Sequence, residues 1–180
     1  MYNIIQDNYE IRLVEPNISL KNEYLNMLTE WKEYGGELIP WSLNLDTIDF
    51  NSLVESLKGY SNGIGLPDGF VPCTTFWLKN NEKKVLGAIE IRHQLNDYLL
   101  FRGGHIGYGI RPSERNKGYA SNMLGMALEY CKIIGLTNVL ITCSSNNIGS
   151  IKTIVKNGGI FDSEDIEKDE FFQRYLIYIK

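Results

Sequence analysis

Apolar and polar residues alternate along the chain with two different periods. Over 9–14 they alternate one by one, which predicts a strand with one buried face. Apolar positions then recur at intervals of three and four over 20–31, as on one face of a helix. Strand patterns return over 73–79 and 85–92, on either side of a short polar turn, and predict an antiparallel hairpin.

A second helix and a long loop are predicted between these elements. Helical spacing runs from position 46 or 47 to about 58, with Ile48 on the apolar face. Residues 59–72 are rich in Gly and Pro, which predicts a loop, and loops this long are more often functional than idle. We expect this loop and the segment from Trp31 to Trp41 to form the walls of a binding site, although their aromatic residues fit a core equally well.

The second half of the chain predicts a strand, a helix and a strand in succession. Residues 105–110 form a short strand, and the helix after it has the most regular apolar stripe, made by Ala120, Met123, Leu124, Ala127, Leu128 and Cys131. Gly135 is placed to end that helix, and the apolar segment 139–141 predicts a strand covered on both faces. This order predicts two parallel strands joined by a right-handed crossover.

One more helix and a terminal hairpin complete the predicted elements. Asn146 or Asn147 is a suitable N-cap for a helix that turns Ile148, Ile151 and Val155 inward. The segment 160–179 then predicts a hairpin with an acidic turn.

Composition narrows the class of protein. The chain has 180 residues, of which 43% are apolar and 22% charged, so we expect one globular domain over residues 1–180. Its formal net charge of −4 argues against nucleic acid as a partner, and no apolar run is long enough to cross a membrane. Three scattered cysteines and two histidines match neither a disulfide framework nor a zinc motif. We therefore expect no metal and a reducing, cytoplasmic location.

The segment 110–120 has the composition of an anion site. It runs from a strand through a Pro-containing basic turn directly into the most regular helix, and helix N-termini bind phosphate readily. Arg111, Arg115 and Lys117 against Glu114 give this turn a local excess of two positive charges. Gly118 allows an anion to approach the main-chain amides without a Cβ in the way. The alternative is an ordinary solvated helix start.

Two motifs resemble those of the GCN5-related N-acetyltransferase (GNAT) family. The run Arg115-Asn116-Lys117-Gly118-Tyr119-Ala120 matches the family's R/Q-x-x-G-x-G/A signature, and Asn147-x-x-Ser150 followed by Gly158 resembles its second motif. Through the segments 87–90 and 103–108 the chain is most similar to uncharacterised predicted acetyltransferases of bacteria. The resemblance implies an α+β (α/β) fold: a mixed, mostly antiparallel seven-stranded sheet flanked by about four helices, with a central parallel βαβ unit.

The resemblance also implies a cofactor and a reaction. In the family, an acetyl group passes from acetyl-coenzyme A (acetyl-CoA) to a primary amine, here of a small molecule or peptide, by direct attack on the thioester. The implied pyrophosphate loop is Arg111, Arg115, Asn116, Lys117, Gly118, Tyr119 and Ala120. Main-chain groups of Ile110 are implied to contact the cofactor, and Asn147 its pantetheine or thiol end.

The catalytic groups are less determined. Glu90 and His105 are both candidates for the general base, because each lies on a strand near the expected thioester. Many family members have a Tyr seven residues after the motif Asn that protonates the departing thiolate, and Ile154 stands there in this chain. Tyr108 is a substitute candidate, beside a water molecule or unassisted departure. Cys143 is a further candidate, as a carrier of the acetyl group.

Two other functions remain open at this stage. The missing Tyr is compatible with a catalytically silent acyl-CoA-binding module. Acetylation of a hydroxyl would favour His105 as the base, since an alcohol needs stronger activation. A homodimer is common among proteins of this resemblance.

Overall fold

The computed structural model describes residues 3–6 and 9–179, and the side chains of residues 11–179. These residues form eight strands and five α-helices. In chain order they are β1 (Asn3–Gln6), β2 (Tyr9–Val14), α1 (Lys21–Tyr34), α2 (Phe50–Tyr60), β3 (Cys73–Asn80), β4 (Val85–Arg92), α3 (Asp97–Phe101), β5 (Ile106–Ile110), α4 (Tyr119–Ile133), β6 (Asn138–Ser144), α5 (Ile148–Lys156), β7 (Ile160–Glu167) and β8 (Glu170–Tyr178).

The strands form two sheets rather than one. The larger has five strands in the order β1-β2-β3-β4-β5, and the smaller has three in the order β6-β8-β7. All recorded strand pairs are antiparallel. The predicted α+β class is confirmed, but the described residues have eight strands and not seven, and β1 and α3 are additions to the sequence prediction.

The two sheets meet where β5 and β6 lie side by side. The predicted strand–helix–strand unit exists in chain order as β5, α4 and β6, but within the described residues these two strands share no ladder. Each of these strands is therefore the edge strand of its own sheet, on the side that faces the other sheet. The expected parallel pair is replaced by a split between two sheets.

Helices cover both faces of the larger sheet. Successive side chains of a strand point to opposite faces, so Trp77 of β3 packs with α1 and α2, and Leu78 packs on the side of α4. Both side chains are fully buried. Each face thus has its own apolar cluster, which fixes β4 and β5 between two layers of helix.

Two helices differ in detail from the sequence prediction. Asp49 is the N-cap of α2 and its carboxylate accepts the N–H groups of Asn51 and Ser52, so the helix begins later than expected and leaves Ile48 exposed. In α5, Ile148 and Val155 were expected to face inward, but both are exposed, and Ile154 is buried in the core instead. No helix in the described part of the chain is long and apolar enough to span a bilayer.

Candidate active site

A cavity of about 740 Å³ opens at the split between the two sheets. On one side it is lined by residues of β5, β6 and the first turn of α5, and on the other by residues 37–41 and 69–71. The predicted walls, the loop 59–72 and the segment from Trp31 to Trp41, thus both contribute residues. Trp41 lines the cavity, whereas Trp31 belongs to the core beneath α1.

The outer edge of β5 faces this split. The N–H of Arg111 donates to Leu86 O at 2.9 Å, and His105 O accepts the N–H of Arg92 at 2.8 Å, so odd-numbered residues of this segment pair with β4. In an antiparallel ladder the groups of alternate residues point away from the partner. The N–H groups of Tyr108 and Ile110 therefore point out of the sheet, towards the split.

One end of the split is closed by His105. Its main-chain N–H donates to Leu140 O at 2.7 Å, and its Nδ1 accepts the N–H of Leu140 at 2.9 Å. Gly104 next to it has φ +62°, and a Cβ there would lie 2.4 Å from Leu140 O. Only glycine suits this turn, because the two strands approach each other so closely.

These contacts leave His105 badly placed to act as a base. An Nδ1 that accepts a hydrogen bond has no free lone pair, and in the neutral ring the proton is then carried by Nε2. Burial lowers the pKa of His105, and the positive charge of Arg92 acts in the same direction. The side chain is 6% exposed and does not line the cavity. We interpret it as a residue that holds β5 against β6.

Glu90 is differently placed. It lies on β4, lines the cavity and is only 2% exposed. Its Oε1 accepts a hydrogen bond from Arg92 Nη2 at 3.0 Å, whereas its Oε2 is buried without a partner. A buried carboxylate oxygen without a hydrogen bond is costly, so it calls for an explanation, such as a catalytic role or a bound water or ion.

Arg92 holds Glu90 in this position. Its Nη1 donates to the carbonyl oxygens of Gly103 and Gly104 at 3.0 Å each, and its Nη2 binds the carboxylate. The turn that carries His105 is thereby tied to the floor of the cavity. The sequence analysis missed Arg92, although its spacing of two residues from Glu90 on one strand was a usable signal, because such residues share a face.

Tyr108 reaches from β5 to α5. Its hydroxyl lies 2.9 Å from Ser150 Oγ, and burial raises its pKa to about 12, so the phenol is protonated at neutral pH. Burial also raises the pKa of the nearby Cys143 thiol to about 11, which disfavours the thiolate that an acetyl carrier needs. Ile154, at the position of the family's usual Tyr, is fully buried and does not line the cavity.

The helix that follows the basic turn has no side-chain cap at its N-terminus, and its first amides are called uncapped here for that reason. Gly118 is the N-cap of α4 with φ 79° and makes no side-chain cap bond, in contrast to the side-chain caps of α2, α3 and α5. The first helical bond is that of the Asn122 N–H to Gly118 O. The amides of Tyr119 and Ala120 are therefore free of helix partners, as an anion site requires. Asn116 lies in the turn before them with φ 62° and is exposed.

The basic side chains of this turn have different surroundings. Arg115 lies over the rings of Trp31 and Tyr34, at 5.1 and 5.0 Å from their centroids, and its Nε donates to Ile110 O. Lys117 is half-exposed and pairs with Glu114 at 2.9 Å. Both remain next to the uncapped amides.

Arg111 differs from the other two. It is 3% exposed and bound by the Glu30 carboxylate, the Asn26 side chain and Val85 O. Its side chain therefore connects the turn to α1. Because these contacts use both ends of the guanidinium, we do not retain the predicted role of Arg111 as a phosphate ligand.

Asn147 lies at the start of α5, on the same side of the cavity as β5 and β6. It is the N-cap of α5, since its Oδ1 accepts the N–H of Ser150 at 3.0 Å, and it lines the cavity. Its Nδ2 is left for a ligand. The described residues contain no group of three or more His, Cys, Asp or Glu side chains suited to a metal ion.

Comparison with known proteins gives the family context. Residues 12–160 match the family model described as the acetyltransferase (GNAT) domain. No curated protein gives a significant match. Among solved structures, the ribosomal-protein-S5-alanine acetyltransferase of Vibrio fischeri is similar with a TM-score of 0.71 at 13% identity, over 99% of this chain and 97% of that one.

Two further solved structures share the fold. The microcin C7 self-immunity acetyltransferase MccE, in complex with acetyl-CoA and AMP, has a TM-score of 0.67 and 16% identity, over 94% of this chain and 92% of that chain. A dodecameric spermidine N-acetyltransferase of Vibrio cholerae has a TM-score of 0.63 and 14% identity, over 96% and 95% respectively. At these identities the likeness establishes the fold alone.

Proposed function

The chain belongs to the acetyltransferase (GNAT) family, and from this premise we propose that it is an N-acetyltransferase that uses acetyl-CoA and a small primary amine or peptide amine. The observation that carries the proposal is the buried, unpartnered Oε2 of Glu90 in the cavity beside the open edge of β5. A protonated amine needs such an acceptor before it can attack a carbonyl carbon.

The acetyl donor, acetyl-CoA, is proposed to occupy the part of the site formed by the basic turn and the outer edge of β5. Its pyrophosphate would lie at the uncapped amides of Tyr119 and Ala120, with Arg115 and Lys117 beside it. Gly118 and Asn116 shape that turn through their positive φ angles. The arm would follow β5 towards the cavity, where the N–H groups of Tyr108 and Ile110 point outwards and which Asn147 also lines. Acetyl-CoA supplies the activated thioester carbonyl.

Glu90 and Tyr108 then transfer one proton each. Glu90 accepts one from the ammonium group, so the nitrogen lone pair can form the C–N bond while the C–S bond breaks. Tyr108 protonates the thiolate that leaves with the electron pair of the C–S bond. The second proton that the nitrogen loses as the amide forms replaces the one given up by the Tyr108 hydroxyl. Outward N–H groups of β5 stabilise the negative charge that develops on the carbonyl oxygen, typically by about 2.7–4 kcal/mol per donor.

One observation supports a second candidate function, that of a catalytically silent module. Ile154 is buried where many family members have the acid Tyr, as expected for a module that binds acyl-CoA without turnover. Acetylation of a hydroxyl would need His105 as the base. The Nδ1 of that residue already accepts the N–H of Leu140, so this alternative loses its main support.

Release of coenzyme A with a panel of primary amines tests the proposal. We expect turnover with the wild type and a loss of about 10²–10⁴-fold in kcat for Glu90→Gln, the typical contribution of a general base. Glu82→Gln, in the exposed turn between β3 and β4, is the matched control and should keep wild-type turnover. Binding of acetyl-CoA without acetylation of any amine would instead identify the silent module.

A further inference from the structure

The mouth of the cavity is lined by aromatic side chains. The rings of Trp41 and Phe70 lie 4.4 Å apart between centroids, and Trp41 also lies 6.4 Å from the Tyr60 ring. Both Trp41 and Phe70 line the cavity, and Phe70 is 43% exposed. Exposed aromatic surface that borders a cavity favours a ligand with an apolar face, because covering it removes apolar area from water.

Charge at the cavity is nearly balanced. Its charged lining residues are three carboxylates and two guanidiniums: Glu37, Glu90, Glu170, Arg92 and Arg102. Glu90 is bound by Arg92, and Glu170 by Arg102, which also binds Glu167 beside the cavity. Both guanidiniums are thus ion-paired, and the free Oε2 of Glu90 is a buried acceptor for one ammonium group. The further ammonium groups of a polyamine would meet Glu170 already paired with Arg102.

From these two observations we infer that the acceptor is a singly charged primary amine on an aromatic body, an arylalkylamine, rather than a polyamine. The inference rests on the proposed N-acetyltransferase function and names its substrate class. The ammonium group reaches the free Oε2 of Glu90 at the cavity floor, and the ring lies against Phe70 and Trp41 at the mouth. Arg102 occupies Glu167 and Glu170, so neither is free to pair with a second ammonium group.

Steady-state kinetics with matched amines test this inference. The probes are phenethylamine, n-butylamine and spermidine, which all present a primary amine on an unbranched carbon. We expect kcat/KM for phenethylamine to exceed that for n-butylamine and spermidine by about 10-fold or more, since partial burial of a phenyl ring changes affinity by about that factor.

Two variants separate the aromatic and the charge arguments. Phe70→Ala should lower kcat/KM for phenethylamine about 10-fold and that for n-butylamine less than about 2-fold. Phe171→Ala, which removes an exposed ring of β8 outside the cavity lining, is the control and should change neither. Arg102→Gln should raise kcat/KM for spermidine relative to phenethylamine, because Glu167 and Glu170 lose their cationic partner and become available to a second ammonium group.

The failures are distinguishable. A preference for spermidine, or an equal loss for both monoamines in Phe70→Ala, would overturn the inferred substrate class while leaving amine acetylation intact. Absence of turnover with every amine would overturn the proposed function itself, and the substrate class with it.

Discussion

The N–H of Leu140 donates to Nδ1 of His105, and the carbonyl oxygen of Leu140 accepts the main-chain N–H of His105. One residue of β6 is thus bound by both the ring and the backbone of the residue that precedes β5. This double contact fixes where the two strands stop touching and the cavity begins. It also makes His105 a positioning residue, since Nδ1, the ring nitrogen with the lone pair, already accepts a hydrogen bond.

His105→Ala should therefore lower stability more than it changes the chemistry. We expect the free energy of unfolding to fall by about 1–3 kcal/mol, because the buried Leu140 N–H loses its acceptor. The pH–rate profile with amine should keep its shape, and kcat should stay within about 10-fold of the wild type. Loss of the acidic limb of that profile in His105→Ala, but not in Glu90→Gln, would make the histidine the base after all.

The same residue should make stability sensitive to acid. Burial lowers the pKa of His105 below its ordinary value of 6.5, so the folded chain binds fewer protons than the unfolded chain as pH falls through that value. Its contribution is complete above about pH 6.5 and decreases below it. Melting temperatures from pH 8 to 5 should fall less steeply in His105→Ala than in the wild type. His93→Ala, the other histidine with a lowered pKa, measures the second contribution separately.

Gly118 and Gly135 offer a matched pair at the two ends of α4. Their φ angles are 79° and 82°, so Ala at either site costs about 1–2 kcal/mol of backbone strain. Only Gly118→Ala is expected to abolish the thermal stabilisation by coenzyme A, which amounts to about 2.7 kcal/mol at 100 times the dissociation constant. Equal stabilisation of both variants by coenzyme A would show that the pyrophosphate does not bind at this turn.

Tyr108→Phe should slow acetyl transfer while the cofactor still binds. The variant lacks the proton donor but keeps the ring, so we expect kcat to fall about 10²-fold with little change in the dissociation constant of acetyl-CoA. Cys143→Ala should retain the wild-type rate, because its thiol is protonated at neutral pH. An unaltered rate for Tyr108→Phe would assign protonation of the thiolate to water.

The pair of Glu30 and Arg111 should stabilise the fold. Burial opposes ionisation of Glu30, but hydrogen bonds from Arg111 and Ser113 outweigh it and lower its pKa to about 2, from an ordinary value of 4.5. The stabilisation is complete above about pH 4.5 and is lost as pH falls towards 2. Glu30→Gln should lower the free energy of unfolding at pH 7 by about 1–3 kcal/mol and weaken this acid dependence. Glu33→Gln, on an exposed position of α1, should do neither.

Local sequence was sufficient to predict the basic turn 115–120 and the helix after it, and insufficient for the partners of its side chains. The turn 115–120 is continuous, so its glycine, its basic residues and the following helical stripe could be predicted together. Arg111 could not be interpreted in the same way, because Glu30 lies 81 positions away. The donor to Nδ1 of His105 is likewise a backbone amide 35 positions away.

Short or irregular elements escaped prediction for a related reason. Helix α3 has five residues, too few to show a helical period, and depends on Asn96 accepting the N–H of Leu99. The split between β5 and β6 has no sequence signal, since each strand alone has the apolar pattern of a paired strand. Glu90 could be placed on a strand, but its unpartnered oxygen depends on Arg92 and the turn beyond it.

The unpaired side of β5 also bears on how this chain avoids its own aggregation. An exposed sheet edge invites strands of other molecules, and proteins usually protect it with charge, proline or a covering segment. Here β6 and the start of α5 lie beside this edge, and the main-chain N–H of His105 is already paired with Leu140. The second sheet therefore serves as the covering segment, which leaves the strand of another molecule less of the edge to pair with.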